Sequence, residues 1–219
     1  MVTSNNLLSE WLCLSNLSHK AQCRWYHGHR RQEFACFNIN VAASSETRIL
    51  REDSIREAGS KYTIFWKGKN PNEPCIHGVG LAIKTQFMDQ HRLIPTADNE
   101  HLMTVQIPLI RDRFLTLISV YAPTLTSEDD IKALFYNLLD YTTQKVPMHD
   151  KLILLEHFNG RVSSDHCLWN GILGHHGIEK CNANGHLLLG LCAECELVIL
   201  QLPISSPYLT KINLETPTV

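Results

Sequence analysis

The chain has 219 residues and a formal net charge of -2; 44% of the residues are hydrophobic and 19% are charged. This composition supports one sizeable hydrophobic core and predicts a single folded domain. The near balance of charges excludes a strong basic field that draws the whole protein to nucleic acid. Binding to a polyanion therefore has to use a local charged patch or a bound metal.

We expect no secretory signal in the first residues. Met1 to Ser18 lack a basic start, and polar residues such as Ser4 and Glu10 interrupt their apolar character, which excludes a secretory signal. No apolar run reaches the length needed to cross a membrane. We therefore expect an intracellular protein, nuclear or cytoplasmic, with reduced thiols and no membrane partner.

Regular patterning starts late in the chain. Residues 1–32 show no sustained period, so we predict a poorly specified leader there, with a helix over Leu7 to Leu14 as one option. Runs that alternate or stay apolar then predict strands, and Pro123 closes the longest of them. The predicted strands are Phe37 to Ala43, Tyr62 to Trp66, Gly78 to Ile83, Leu102 to Leu109, Phe114 to Tyr121, Leu152 to Leu155 and Leu197 to Leu200.

Two stretches predict helices. Ser127 is the expected N-cap of the first, because negative charges follow it in the turn where the helix dipole favours them. Its apolar residues recur at helical spacing and predict a stripe that packs on the core. These residues are Ile131, Leu134, Phe135, Leu138 and Leu139. Asn184 is the expected N-cap of the second helix, and the alternation of strands with helices favours a mixed α/β layered domain.

The stretch from Lys151 to Arg161 is the centre of the functional hypothesis. Its apolar run is unbroken and gives way at once to polar, turn-forming residues, which predicts a strand buried on both faces. In α/β proteins, ligands and catalytic groups collect just past the carboxyl ends of such strands. We therefore expect Glu156, His157 and Asn159 to lie at one such end.

Several segments of the chain carry a family resemblance. They are Ala42 to Arg48 (AASSETR), Tyr62 to Gly68 (YTIFWKG), Ser119 to Pro123 (SVYAP), Glu156 to Val162 (EHFNGRV) and Cys181 to Gly185 (CNANG). They resemble elements of the endonuclease/exonuclease/phosphatase superfamily. More narrowly, they resemble the endonuclease domain of LINE-type retrotransposons and the group of craniofacial development protein 2-like proteins. The similarity runs from about Glu33 to about Pro203 in the family's order and spacing.

The resemblance implies a fold and a reaction. The implied fold is a four-layer α/β (α+β) sandwich of two mixed β-sheets packed face to face with helices outside, here incomplete at both ends. It places the domain over residues 33–203 and leaves residues 204–219 as a divergent tail without a clear strand. The implied reaction is hydrolysis of a phosphodiester, with DNA as the nucleic-acid partner and Mg²⁺, or Mn²⁺, as the cofactor. Mg²⁺ is held by hard oxygen ligands such as carboxylates at strand ends.

The resemblance also implies roles for individual residues. Glu46 matches the metal-binding glutamate, Tyr121 the tyrosine that contacts the scissile phosphate, and Asn159 the asparagine beside the catalytic aspartate. Without the resemblance, the same residues read as a solvated charge, a core aromatic and a turn residue.

The departures from the family pattern decide the functional hypothesis. His157 stands where the family has its catalytic aspartate, and imidazole cannot supply the anionic oxygen that Mg²⁺ requires. The alternative is that His157 is itself the catalytic base, because the ordinary pKa of histidine, about 6.5, lies near the working range. Glu156 replaces a glycine. The family's opening asparagine element has no counterpart before Phe37, and its closing Ser-Asp-His element falls beyond the end of this chain. The triplet from Ser164 to His166 follows Asn159 too closely to be that element.

A cluster of cysteines and histidines suggests a zinc site. Cys192 and Cys195 form a Cys-X-X-Cys pair, with further cysteines at 167 and 181 and with His175 and His176 nearby. The pair falls on a predicted helix, and no second pair occurs at ligand spacing, so we expect free thiols.

Three functional hypotheses remain. The first is an active Mg²⁺-dependent phosphodiesterase that nicks DNA. The second, which we favour, is a degenerate, truncated relative of retroelement origin with impaired or lost catalysis. The third is a nucleic-acid-binding module without chemistry. The sequence leaves the oligomeric state open.

Overall fold

A computed structural model of the chain describes residues 2–3, 11–14, 39–56, 61–72, 77–162, 165, 167–173, 180–199 and 210–212. This part of the chain forms mostly β-strands, with three α-helices between some of them. The strands are β1 (Val2–Thr3), β2 (Trp11–Leu14), β3 (Val41–Ser45), β4 (Glu52–Arg56), β5 (Tyr62–Lys67), β6 (Val79–Lys84), β7 (Thr96–Asn99), β8 (Leu102–Pro108), β9 (Phe114–Tyr121), β10 (Lys151–His157), β11 (Val198–Ile199) and β12 (Thr210–Ile212). The helices are α1 (Thr85–His91), α2 (Asp129–Gln144) and α3 (Ala183–Glu194).

The strands form two mixed sheets. Sheet A has the order β11-β1-β10-β9-β8-β7, and sheet B has the order β12-β2-β3-β6-β5-β4. The β9–β10 and β2–β3 pairs are parallel, whereas the other pairs within the sheets are antiparallel. The predicted architecture of two mixed sheets with helices outside is confirmed.

Aliphatic side chains fill the space between the sheets. Val41 and Leu81 of sheet B and Leu117 and Ile153 of sheet A are at most 2% exposed and belong to one core cluster. Successive strand residues point to opposite faces, so their neighbours lie on the outer faces of the sheets. All four residues from Leu152 to Leu155 are buried, which confirms the predicted strand buried on both faces.

Helices α2 and α3 cover the outer face of sheet A. Phe135 and Leu139 of α2 and Leu188 of α3 belong to a second core cluster with Ile118 and Leu154 of the sheet. Each of these side chains is at most 4% exposed. This cluster fixes the helices over β9 and β10, the two strands that end at the predicted site.

The core stripe predicted for α2 is wrong for two of its members. Phe135 and Leu139 are buried, but Ile131 is 46% and Leu134 is 70% exposed, and Leu138 is only partly buried. Neighbouring helix residues point about 100° apart, so Leu134 and Phe135 cannot both face the sheet. The helix carries apolar residues on two faces, and only one of them packs on the core.

Both helix starts differ from the prediction by one or two residues. Glu128, rather than Ser127, occupies the N-cap of α2 and makes no side-chain capping bond. Asn182, rather than Asn184, caps α3, and its Oδ1 accepts the backbone N–H of Gly185 at 2.8 Å. Asn184 is buried two residues further on, within the first turn of α3.

Segments near both ends of the chain add strands to the sheets. Strand β1 pairs with β10, and β2 pairs with β3 and β12. The helix option over Leu7 to Leu14 is wrong over Trp11–Leu14, and residues 7–10 lie outside the described part. The expectation of no strand in residues 204–219 is wrong at Thr210–Ile212. The domain boundaries stay a prediction.

Across the described ranges, no helix has the length and apolar character needed to cross a membrane.

The two faces of α2 allow a matched test of the packing. Leu139→Ala should lower the free energy of unfolding by about 2–5 kcal/mol, because Leu139 is fully buried. Leu134→Ala, on the exposed face of the same helix, should change it by less than about 0.5 kcal/mol. Urea denaturation of both variants measures the difference; equal losses would contradict the assignment of faces.

Candidate active site

The predicted site residues meet at one edge of the two sheets. Glu46 directly follows β3 of sheet B, Tyr121 ends β9, and His157 ends β10. Because β9 and β10 pair in parallel with His157 opposite Tyr121, their carboxyl ends place both side chains on the inner face of sheet A. Asn159 follows two residues later. The structure therefore brings together all four residues that the sequence singled out.

A hydrogen bond between Tyr121 and Glu46 joins the sheets at this edge. The phenol of Tyr121 donates to Oε1 of Glu46 at 3.2 Å, and Nη2 of Arg48 lies 3.3 Å from Oε2. Burial of Tyr121, followed by the negative charge of Glu46, raises the pKa of the phenol to about 12. The phenol therefore stays protonated near neutral pH and acts as a hydrogen-bond donor.

His157 packs edge-on against Tyr121, with the ring centroids 5.8 Å apart and an interplanar angle of 67°. Its Nδ1 is buried and has no hydrogen-bond partner among the residues that the structure describes. Burial lowers the pKa of His157, although the charge of Glu46 opposes this shift. The ring is neutral near pH 7, so the position that the resemblance assigns to an aspartate carries no charge. The side chain of the preceding Glu156 lies outside the described residues.

Asn159 is held beside Tyr121 by the loop after β10. Its backbone has a φ of 48°, in the left-handed region that asparagine tolerates better than most residues. Its amide donates to the carbonyl of Ala122 at 2.9 Å, which ties the loop to the end of β9. The amide of Asn182 donates to the Asn159 carbonyl at 3.4 Å. The loop is therefore fixed from both sides.

The start of α3 anchors the same loop. Asn182 Oδ1 also accepts the backbone N–H of Arg161 at 3.0 Å, and the buried amide of Asn184 donates to the carbonyl of Pro123 at 2.9 Å. A Cβ atom at Gly185 would lie 1.9 Å from the Arg161 carbonyl oxygen. Only glycine allows this close approach, which gives the Cys181 to Gly185 segment a supporting role in positioning Asn159.

Two further histidines, which the sequence analysis missed, contact Tyr121. Nδ1 of His101 lies 2.6 Å from the Tyr121 carbonyl oxygen, to which it donates, and its ring stacks on the phenol at 6.1 Å. The ring of His77 lies 5.6 Å from that of Tyr121 and 5.2 Å from that of His101. Burial is the main cause that lowers the pKa of both histidines.

Both histidines directly precede a strand, and this position is the sequence signal that identifies them. His77 lies just before β6, and His101 just before β8. Strand β6 is antiparallel to β3, and β8 is antiparallel to β9, so the starts of β6 and β8 meet the carboxyl ends that carry Glu46 and Tyr121.

The donor set does not fit a catalytic Mg²⁺ site. Of the four predicted positions, only Glu46 supplies a carboxylate, and its oxygens already contact Tyr121 and Arg48. The neutral His157 offers a ring nitrogen where hard oxygen is required. Within the described part of the chain, no group of three or more His, Cys, Asp and Glu side chains is placed to hold a metal ion.

The two thiols of the Cys-X-X-Cys pair have different surroundings. Cys192 is fully buried in the core under α3, whereas the thiol of Cys195 lies 3.7 Å from Oδ1 of Asp140 and 3.5 Å from Oγ1 of Thr143. Burial raises the pKa of Cys195. Cys167 and Cys195 are free thiols. His175 and His176 lie outside the described residues.

Comparison with known proteins finds relatives in sequence and in fold. No family model matches the chain. Craniofacial development protein 2 from Bos taurus is 32% identical over 171 residues, which are 77% of this chain and 27% of the relative. The protein of the same name from Tragulus javanicus is 31% identical over the same number of residues. The chain thus spans about a quarter of the length of these curated relatives.

Two solved structures share the fold. The catalytic domain of APE2 from Xenopus laevis superposes with a TM-score of 0.53 at 13% identity, covering 81% of this chain and 66% of that chain. The AP endonuclease LMAP from Leishmania major superposes with a TM-score of 0.55 at 10% identity, covering 86% and 67%. The chain has the fold of the endonuclease/exonuclease/phosphatase superfamily. Identities this low show the fold alone, so activity in this chain has to be argued from its own residues.

The buried histidines make the stability of this protein depend on pH. His101 and His157 have lowered pKa values when folded, so below their ordinary value of about 6.5 the unfolded chain binds protons that the folded chain does not. The free energy of unfolding should therefore fall as the pH drops from 6.5 towards 5, by at most about 1.4 kcal/mol per pH unit for each histidine.

Urea denaturation between pH 5 and 8 measures this slope. His157→Asn should flatten it, whereas His186→Asn, at an exposed side chain of α3, should leave it unchanged. A stability that is flat between pH 6.5 and 5 in the unmodified chain would contradict the assignment of neutral buried rings.

Proposed function

We propose that this chain is a degenerate relative of Mg²⁺-dependent phosphodiesterases of retroelement origin, with catalysis strongly impaired. The observation that carries the proposal is His157, a buried neutral imidazole at the strand end where the resembling LINE-type endonucleases have an aspartate. Residues 33–203 correspond to the part of the chain that resembles the nuclease domain.

The chemistry of hydrolysis explains why this one residue matters. A phosphodiester is cleaved by a water molecule that a carboxylate aligns and deprotonates, and loss of a positioned base costs about 10²- to 10⁴-fold in rate. The His157 ring carries no negative charge, and its buried Nδ1 faces no partner among the described residues. Glu46 cannot substitute, because its carboxylate is shared between Tyr121 and Arg48.

The hydrogen-bond donors of the site remain in place. The Tyr121 phenol stays protonated because its pKa is about 12, and the Asn159 amide is fixed by the loop after β10. Donors of this kind contact phosphate oxygens in nucleic-acid complexes. These groups support the alternative that the chain binds DNA without cleaving it.

A nicking assay on supercoiled plasmid tests the proposal. The unmodified chain should nick poorly with either Mg²⁺ or Mn²⁺, and His157→Asp should increase the rate at least about tenfold, because it restores the anionic oxygen. His157→Asn is the matched control of similar size without charge and should leave the rate unchanged. A thermal unfolding transition for each variant shows that the buried substitution is tolerated.

Glu46→Gln completes the test. Metal-dependent nicking by the unmodified chain at rates typical of active endonucleases, abolished by Glu46→Gln, would establish an active enzyme and overturn the proposal. Salt-sensitive DNA binding without nicking would favour the binding alternative, because neutralised phosphates release counterions. The absence of binding at low salt would remove that alternative.

A further inference from the structure

Helix α2 presents an apolar seam to solvent in addition to its core face. The seam consists of Ile131, Leu134 and Tyr141, exposed by 46%, 70% and 58%, and of Leu138, which is partly buried and also packs against the core cluster. Their spacing of three, four and three residues is the a/d repeat by which one α-helix packs against another. The core face is distinct, because Phe135 and Leu139 point about 100° away from the seam residues that precede them.

The two ends of the seam carry opposite charges. Glu128, Asp129 and Asp130 are exposed at the start of α2, and Asp129 is ion-paired with Lys132 at 3.3 Å, so the net charge of this end is negative. At the other end, the exposed Lys145 holds its Nζ 3.9 Å from the centroid of the Tyr141 ring. An antiparallel copy of the same helix therefore meets each charged end with its opposite. It also aligns the two helix dipoles in opposite directions, which is the favourable arrangement.

We propose that the seam is an interface between two copies of this chain, with their α2 helices packed antiparallel about a twofold axis. A two-fold contact uses the same patch on both copies and therefore has to be self-complementary, as this one is. In the register that centres the seam, Ile131 lies beside Tyr141 of the second copy and Leu134 beside Leu138. The interface is independent of the proposed function of the site.

The length of the seam sets the strength of the contact. A helix of 16 residues is about 24 Å long, and one helix pair of this length buries less than the roughly 1,200 Å² of a stable interface. The dimer should therefore be weak and dependent on concentration, with a Kd in the range of about 1 µM to 1 mM.

Sedimentation equilibrium of the full chain tests the interface. The unmodified chain should shift from monomer to dimer with rising concentration. Leu134→Glu should raise the Kd at least about tenfold, since it places two charges in the seam. Ile94→Glu is the matched control, because Ile94 is 79% exposed outside α2 and should leave the Kd unchanged. A chain that stays monomeric up to about 1 mM, or equal effects of both substitutions, would overturn the proposal.

A charge-reversal cycle tests the antiparallel orientation. Lys145→Glu and Asp130→Lys should each raise the Kd, because each places like charges together across the interface. The double variant should bring the Kd back towards that of the unmodified chain. Recovery of this kind cannot come from damage to the fold, so a double variant weaker than both single variants would rule out the antiparallel arrangement.

Discussion

The parallel pairing of β9 with β10 is the constraint on which the site depends. It brings the carboxyl ends of two buried strands side by side, so that Tyr121 and His157 lie in register on the face that looks towards sheet B. The loops after both strands then have to leave at the same edge. The amide of Asn159 ties them together at the carbonyl of Ala122. Packing of α2 and α3 on the opposite face keeps this strand pair in place.

The charge balance of the site follows from its burial. The rings of His77, His101 and His157 surround a buried phenol, and burial disfavours the charged form of each imidazole. Two carboxylates lie beside them, and both face a cation: Glu46 is paired with Arg48, and Glu100, 3.9 Å from Nε2 of His101, lies 3.7 Å from Nζ of Lys69. A site of this kind tolerates little additional charge, which is opposite to what a divalent cation and a phosphodiester require.

Much of the fold follows from short-range patterns. The strand from Phe114 to Tyr121 is found with the predicted bounds, because a long apolar run closed by a proline leaves few alternatives. Strand β4 was missed since all five of its residues are exposed at the edge of sheet B, where no apolar alternation is needed. Strands β1, β2 and β12 gain their pairing from partners distant in sequence, which local patterning does not reveal.

The sequence predicts those site residues that lie at the ends of strands it also predicts. Glu46, Tyr121, His157 and Asn159 follow apolar runs and match family elements, so the sequence singles them out. The histidines at the starts of β6 and β8 needed the topology, because only antiparallel pairing brings a strand start to this edge.

Helix α2 shows the limit of periodicity most directly. Its apolar residues fit one helical stripe when counted along the chain, yet the structure separates them into Phe135 and Leu139, which are buried, and Leu134, which is exposed. A 3.6-residue period identifies an amphipathic helix but does not say how many partners it has. A single exposed hydrophobic residue is common on a protein surface. Packing within this fold does not account for a second apolar face that has a/d spacing and opposite charges at its ends. A second helix packed on that face accounts for both features, because its own apolar face would cover the exposed residues and its charged ends would meet the opposite charges.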